Sequence, residues 1–566
     1  MATARRERNE FVHLLWEFKR ELAKLDDENE INFYQFANDQ SYREELLEKA
    51  LQLNSRKIKK IVQEIRAIDP ATNGHSFGGQ VDDAAAVQNN SLALELGSIA
   101  EKANQQRRSP MTLIIWVLLV AIVGGAAVYV AMTFGLPQQI AAMTRNIMAK
   151  HETVSGSILQ STVWHSDTIY TLQGLVFLEG DATLTIESGT TILGDSGSAL
   201  IVTRDAKLYA RGTESEPIIF TSSQPIGSRQ RGDWGGLVLL GNAPLNRGVS
   251  HIEGIAENDP RGTFGGSDPT SNCGVLEYVR IEFAGFEIGA NNELNGLTLG
   301  GCGNASIVRY VQSHRGLDDG IEVFGGTVDM RNIVISGAGD DSLDWDMGWN
   351  GRVQFLVVQQ YSDEGDNGFE GDNWKQQPDA EPRSAPTIYN ATMIGSRDQQ
   401  QDQSAMVIRR GSGGTFRNFV ITGFPSSAID VADEPTAALI ETGELSFKNM
   451  IFYSIGKGGS GYFAAETGDA NKDGGFNEEY YFTNPLNYNR FGINPKLPIL
   501  AFSLDRPEFT PDADSVAGAV TEVASTPVND GPAGGEFWDR SANYLGAIRP
   551  GAGESWLVNW TAFPIN

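Results

Sequence analysis

Residues 316–346 read GLDDGIEVFGGTVDMRNIVISGAGDDSLDWD. Two short units stand in this stretch, and both recur elsewhere in the chain. The first is Asp318-Asp319-Gly320-Ile321-Glu322, which returns as Asp340-Asp341-Ser342-Leu343-Asp344. The second, Arg331-Asn332-Ile333-Val334-Ile335-Ser336-Gly337, lies between those two copies. Outward from here, the first unit appears upstream as Leu294-Asn295-Gly296-Leu297-Thr298 and downstream as Asp366-Asn367-Gly368-Phe369-Glu370. Weaker copies follow at Gln403-Ser404-Ala405-Met406-Val407 and Ser426-Ser427-Ala428-Ile429-Asp430. The small residue at the centre steps by 24, 22, 26, 37 and 23 positions. The second unit returns as Tyr389-Asn390-Ala391-Thr392-Met393-Ile394-Gly395, then as Arg417-Asn418-Phe419-Val420-Ile421-Thr422-Gly423, and closes at Lys448-Asn449-Met450-Ile451-Phe452. Earlier copies of the first unit are Gly197-Ser198-Ala199-Leu200-Ile201 and Trp234-Gly235-Gly236-Leu237-Val238.

Two different strand units in each period describe one coil of a parallel β-helix. A single coil cannot bury its apolar residues alone, so stacked neighbours must do it. A β-sandwich also offers many short strands, but not two phased units at this period. The reading is therefore a mainly β exterior, a right-handed parallel β-helix over residues 161–465. Residues 466–566 are expected to form a C-terminal cap region.

The N-terminal part reads differently. Met111 to Phe134 contains no charged residue. At 1.5 Å per residue, a helix of that length reaches about 36 Å and suffices to cross a bilayer. Lys102, Arg107 and Arg108 precede it closely, which predicts a single-pass signal-anchor with a cytoplasmic N-terminus. The C-terminal domain is then periplasmic or extracellular, beyond an inner or plasma membrane. Residues 135–160 read as a connecting stalk and 71–110 as a flexible linker. Residues 1–70 read as a small α-helical head. Phe11, Leu14, Leu15, Phe18, Leu22 and Leu25 mark one amphipathic helix. Ser41 to Glu44 reads as a capping box opening a second. Ile58, Ile61, Val62, Ile65 and Ile68 mark a third, stopped by Pro70. Such a head is a candidate docking module for a cytoplasmic partner or for anionic lipid.

The whole chain of 566 residues carries 44 basic and 72 acidic side chains, a net charge of −28. That balance excludes nucleic acid as the main partner, because phosphate backbones need a basic footprint. Residues 1–110 hold 16 basic and 18 acidic side chains, so nearly all of the acidity lies in the exported part.

GDWGGLVLLGNAP (232–244), NELNGLTLGG (292–301), HRGLDDGIEVFGG (314–326), YLGAI (544–548) and NWTAFP (559–564) together resemble a signature of bacterial surface proteins. That group is similar to the pectin-lyase-like right-handed β-helices. The resemblance covers roughly residues 160–566 and implies an exported or secreted protein. The head and span depart from it, which favours a partner on the inner side of the membrane.

Three sets of residues could carry chemistry. The first is the acidic ladder. Equivalent positions on successive coils lie about 4.8 Å apart. Asp318, Asp340 and Asp366 then stack, as do Glu322, Asp344 and Glu370. Carboxylates so close must take up protons or share a cation, and Ca²⁺ suits several carboxylate and carbonyl oxygens. Asp318, Asp340, Asp344, Asp366 and Glu370 are thus candidate metal ligands. The alternative is a solvated face on which Asp and Asn close turns by bonding their own backbone. Asp318, Asp319, Asp340, Asp341 and His314 are also weak catalytic candidates. They are similar to the paired aspartates and histidine of β-helical polygalacturonases, without the wider motif set of those enzymes. The second set is the loop opened by Asp469, Asn471 and Asp473, with Gly475 and Glu479 following. It starts like a calcium loop, but position twelve is Tyr480 where that motif expects Glu. The third is Cys273 and Cys302, 29 residues apart and close to one coil period, which stacking brings together as a disulfide.

The function expected from these features is a membrane-anchored envelope or surface module for binding, adhesion or scaffolding, stabilised by Ca²⁺. Its partners are expected to be an envelope polysaccharide or protein. A polysaccharide hydrolase or lyase is the alternative, helped if Trp345 and Trp349 line an open groove beside the acids. A structural subunit of a larger membrane complex is the third reading.

Overall fold

The computed structural model describes residues 40–51, 56–68, 149–286, 294–463, 472–518 and 537–566. The chain divides into two compact units, residues 1–148 and 149–566. In the first, helices α1 (Gln40–Leu51) and α2 (Arg56–Ile68) pack together. Leu46, Leu47 and Ala50 of α1 and Ile58, Ile61, Val62 and Ile65 of α2 are buried. Arg66 bonds Glu44 and Glu48 across the pair, each at 2.7 Å. The apolar helix pattern at residues 11–25, the linker 71–110 and the apolar run 111–134 lie outside the described residues. Among the described residues no helix is long and apolar enough to cross a membrane.

The second unit is a parallel β-helix. Apart from the short antiparallel pair Ser250–His251 and Thr263–Phe264, its strands pair in parallel from Lys150 to Phe491, each with its counterpart one coil away. Three sheets make up the wall. From residue 274 on, one long strand per coil serves the first two sheets, bending once between them. The third sheet consists of the short strands Leu297–Gly300, Ile321–Phe324, Leu343–Asp346, Asn367–Gly371, Ser404–Ile408 and Ile429–Val431, preceded by Ala199–Val202 and Gly236–Leu240. Leu200, Leu237, Leu297, Ile321, Leu343, Phe369, Met406 and Ile429 share one inward register through this sheet. Fully burying such a side chain stabilises the fold by about 1.5–3 kcal/mol.

The bend in the long strand explains the second sequence unit. Tyr278, Tyr310, Asn332, Phe355, Asn390, Asn418 and Asn449 occupy the same register on seven successive coils. Each has a left-handed backbone, with φ between 51° and 64°. Asn tolerates that conformation better than most residues because its short amide bonds locally. Here the amides also bond between coils, Asn449 Nδ2 donating to Asn418 Oδ1 at 3.3 Å and Gln354 Nε2 to Asn390 Oδ1 at 3.2 Å. In the earlier coils the same corner is a separate turn, between strands Lys207–Arg211 and Ile218–Ser222. Cys273 and Cys302 form a disulfide inside the core, with Cα atoms 5.8 Å apart. Closing a loop of that length stabilises by about 3–4 kcal/mol.

A cap is expected over residues 466–566; among the described residues, the end of the ladder and the chain beyond it behave differently. Helix α3 (Glu434–Thr442) and the short α4 (Glu478–Phe482) flank the last coils, where Phe447, Phe463 and Phe482 pack on one another. Residues 497–518 and 537–564 instead lie along the second sheet as a strap, reaching earlier coils. Ala501 and Ser503 carbonyls accept from Gln359, Tyr544 from Asn390, Asp539 from Gln354, and Ala562 from Gln312. Val334, Val357 and Ile394 point outward into this strap and are buried by Ala547, Ile548, Leu557 and Trp560. Val420 and Ile451 are covered likewise by Ala517 and Leu545.

Candidate functional site

The outward face of the third sheet changes character along its length. Ile201, Val238 and Leu240 come first, and a loop carrying Leu245, Ile252, Ile255 and Phe264 seals them. From the next coils on the row turns acidic. Glu322 pairs with Asp344, and Asp344 with Glu370, in strict parallel register. Asp346 lies two positions further along, opposite Phe324. The turns entering these strands carry Asp318-Asp319, Asp340-Asp341 and Asp366-Asn367. The result is a continuous run of carboxylates across three coils.

The two aspartates of each turn do different jobs. Asn295 Oδ1 accepts from Asp319 N at 3.2 Å, Asp319 Oδ1 from Asp341 N at 2.9 Å, and Asp341 Oδ1 from Asn367 N at 2.6 Å. Each side chain therefore holds the backbone of the following coil, rather than its own as a simple turn would. Asn295 Nδ2 also donates to Glu322 Oε2 at 2.6 Å. Asp318, Asp340 and Asp366 lie beside this ladder. Carboxylate oxygens of three groups, Asp318/Asp319/Asp340, Asp319/Glu322/Asp344 and Asp340/Asp341/Asp366, each lie within 4.8 Å of one another. Asp319 and Asp340 are shared, which links the groups into one run.

Burial pushes the Asp319, Glu322, Asp341 and Asp344 carboxyls well above the usual carboxylate range, and neighbouring carboxylates push in the same direction. Glu253 is the largest such influence on Glu322. Burial carries Glu370 up to about 7 against the opposing pull of Arg409. One edge of the run is balanced by cations. Arg409 bonds Glu370 and Asp372, Arg410 bonds Asp372, and Arg247 bonds Asp346. At the centre, Asp344 Oδ1 is shielded from solvent and has no hydrogen-bond partner among the described residues. A buried carboxylate oxygen in that state needs a proton or a cation.

Other sequence candidates fall elsewhere. His314 is buried under the strap. Its ring lies 2.8 Å from both Ser336 Oγ and the Pro564 carbonyl, with Phe283, Tyr361 and Phe563 edge-on around it. Burial holds its pKa down to about 3, so it stays neutral and engaged in the fold. Trp345 and Trp349 are fully buried in the core and offer no stacking surface beside the acids. Arg409 is held by its carboxylates well above its ordinary pKa, against the effect of burial, and does not release a proton. In the second candidate loop Asp469 and Asn471 lie outside the described residues. Asp473 Oδ1 accepts from Gly475 N at 2.8 Å, and Glu479 is exposed in the first turn of α4.

Asn295 and Arg247 are members of the acidic site that the sequence did not single out. Asn295 had a signal, since it stands in the position of Asp319 in the repeated unit. Arg247 had none, because it reaches Asp346 from a loop 99 residues away.

No curated protein and no solved structure matches the chain. A family model described as a pectate-lyase-like β-helix domain matches residues 156–476, more than half of the chain. Its limits enclose the short-strand sheet and every carboxylate of the acidic run. The chain belongs to the pectate-lyase-like β-helix family.

Proposed function

We propose that this protein is a membrane-anchored binding or scaffold module of a cell envelope, and that its acidic run holds Ca²⁺. The single observation behind the ion is Asp344 Oδ1, buried and unbonded among carboxylates raised by burial and by one another. Ca²⁺ would draw on Asp319, Glu322 and Asp344, with Asp318, Asp340, Asp341 and Asp366 beside them. It would supply the positive charge that Arg247, Arg409 and Arg410 supply at the edge. The anchor rests on the uncharged run 111–134 and the basic residues before it. Thermal unfolding of the full chain with Ca²⁺ and with EGTA tests the ion. The midpoint should rise with Ca²⁺ in the wild type and not in Asp344→Asn. An unchanged wild-type midpoint would refute it.

A hydrolytic reading has one observation in its favour. Glu322, Asp344 and Glu370 lie in register on adjacent strands, near the roughly 5 Å carboxylate spacing of retaining glycosidases. Against it stand the ion-paired Arg409, the neutral His314 and the buried tryptophans. Incubation of the full chain with acidic polysaccharides separates the readings. New reducing ends or unsaturated products, lost in Glu370→Gln, would favour the enzyme.

A further inference from the structure

The strap ends over a histidine that nothing in the acidic site uses. His314 sits at the end of strand Ile307–His314, 1% exposed, and the strap covers it. Pro564 O can only accept, so His314 Nε2 carries the hydrogen between them. Nδ1 is then the free acceptor and takes the Ser336 hydroxyl hydrogen. This arrangement fits a neutral ring alone. A second proton would arrive on Nδ1, turn that contact donor-to-donor until Ser336 reoriented, and leave a charge whose cross-strand carboxylate, Glu282 in register on the adjacent strand, is already bonded to Arg280 at 2.9 Å.

The charged groups around the ring make that charge worse. Arg315 on the same chain segment, Arg280 from the neighbouring coil and Arg231 from the loop before the third sheet all act on His314 with like charge. Their counter-ions are already engaged. Arg280 Nε donates to Glu282 at 2.9 Å, and Arg231 and Arg315 share Asp363 at 2.9 and 3.1 Å. Tyr361 faces the ring with a neutral phenol, its pKa pushed up to about 12 by burial. The strap residues 561–566 carry no titratable side chain. With Glu282 engaged by Arg280, an imidazolium here would need water to solvate it, and the strap keeps water out.

We infer that the end of the strap, residues 556–566, is an acid-released latch: protonation of His314 lifts it from the β-helix while the rest of the strap stays docked. The confinement to this end follows from the other contacts. Residues 538–548 are held by Gln354, Asn390 and Thr392, none of which titrates. Lifting the end would uncover Tyr278 and Tyr310, whose stacked rings lie under Trp560.

Hydrogen–deuterium exchange of the full chain in EDTA at pH 7.5 and 4.5, corrected for intrinsic rates, tests the latch. A histidine near pKa 6.5 when open and about 3 when closed predicts roughly a hundredfold rise in opening of 556–566. Peptides from 538–548 should keep their protection. In His314→Gln, whose amide still donates to Pro564 O, the rise should vanish. Unchanged exchange of 556–566 in the wild type would overturn the inference. So would loss of both segments together, or the same acid opening in His314→Gln.

Discussion

The second and third sheets run through the same coils in the same register, yet their outward faces are completed in different ways. Along the second sheet and the bend that leads into it, the polar groups Gln312, Gln354, Gln359, Asn390 and Thr392 all meet peptide groups of the strap. The apolar groups between them, Val334, Val357, Val420 and Ile451, meet its side chains. On the third sheet, over the coils of Glu322, Asp344 and Glu370, the outward positions are carboxylates that crowd one another. A buried polar group matched by its own chain belongs to the fold. A buried carboxylate crowded by others marks where something from outside is needed. The difference separates a face completed by the chain itself from one whose carboxylates are left to one another.

The largest test removes the centre of the strap-covered face. Trp560→Ala should lower stability by about 3–5 kcal/mol, since a fully buried indole leaves a cavity under the strap. Thermal unfolding reads this, and the loss should be the same with Ca²⁺ or EGTA. Calcium sensitivity of that loss would mean that the two faces are coupled.

The next effect belongs to the acidic face. Ca²⁺ at a hundred times its Kd should stabilise the wild type by about 2.7 kcal/mol. Glu322→Gln should reduce the gain and Asn390→Ala should leave it intact. A gain equal in all three proteins would place the ion elsewhere.

Asn390→Ala should itself cost about 2–3 kcal/mol. It loses the bond to the Tyr544 carbonyl and places Ala in a left-handed conformation. Denaturant midpoints of this variant and of Asn390→Gly separate the two contributions, because glycine relieves only the second.

The smallest effect sharpens the electrostatic contrast. The Asp344 carboxyl is raised in the folded state, so folding favours its protonated form. Its contribution is intact below the unfolded value near 4 and is lost as pH rises towards the folded value. In EGTA, Asp344→Asn should therefore be more stable than wild type at pH 7.5 and show no such gain at pH 4. His314 has the opposite sign. Its folded pKa of about 3 lies below the unfolded value, so its contribution is full at neutral pH and fades as pH falls. Unfolding midpoints of the two single variants across pH should diverge in opposite directions.

Much of the coil register was legible because each unit carries residues that only one place in a coil accepts. The Gly or Ser before Ile321 and Leu343 marks entry to the third sheet. The Asn of Arg331-Asn332-Ile333 marks the left-handed corner. Coils whose corner residue is Tyr278, Tyr310 or Phe355 escaped the motif, since their aromatic side chains carry no such signal. The strap was not legible as a partner, because Gln312 and Ala562 are 250 positions apart. A clue to it was present nonetheless. Ile333-Val334-Ile335, Leu356-Val357-Val358 and Phe419-Val420-Ile421 are apolar on both faces, which a strand open to water would not be. On the acidic face, the stacking of Glu322, Asp344 and Glu370 followed from the period alone. The division of labour within each Asp pair did not, because it depends on which oxygen reaches the next coil.

The manner in which Gln312 and Gln354 hold the strap has a consequence for how this protein can vary. Both amides grip a peptide N–H and carbonyl together, at Ala562 and Asp539, and take no notice of the side chain attached. At these two points the wall reads the strap's route and not its spelling. Ala562 and Asp539 are thus held whatever side chain they carry, whereas Leu545, Ala547, Ile548 and Leu557 are fixed by what they bury, so variation in the strap is confined to its peptide-gripped positions.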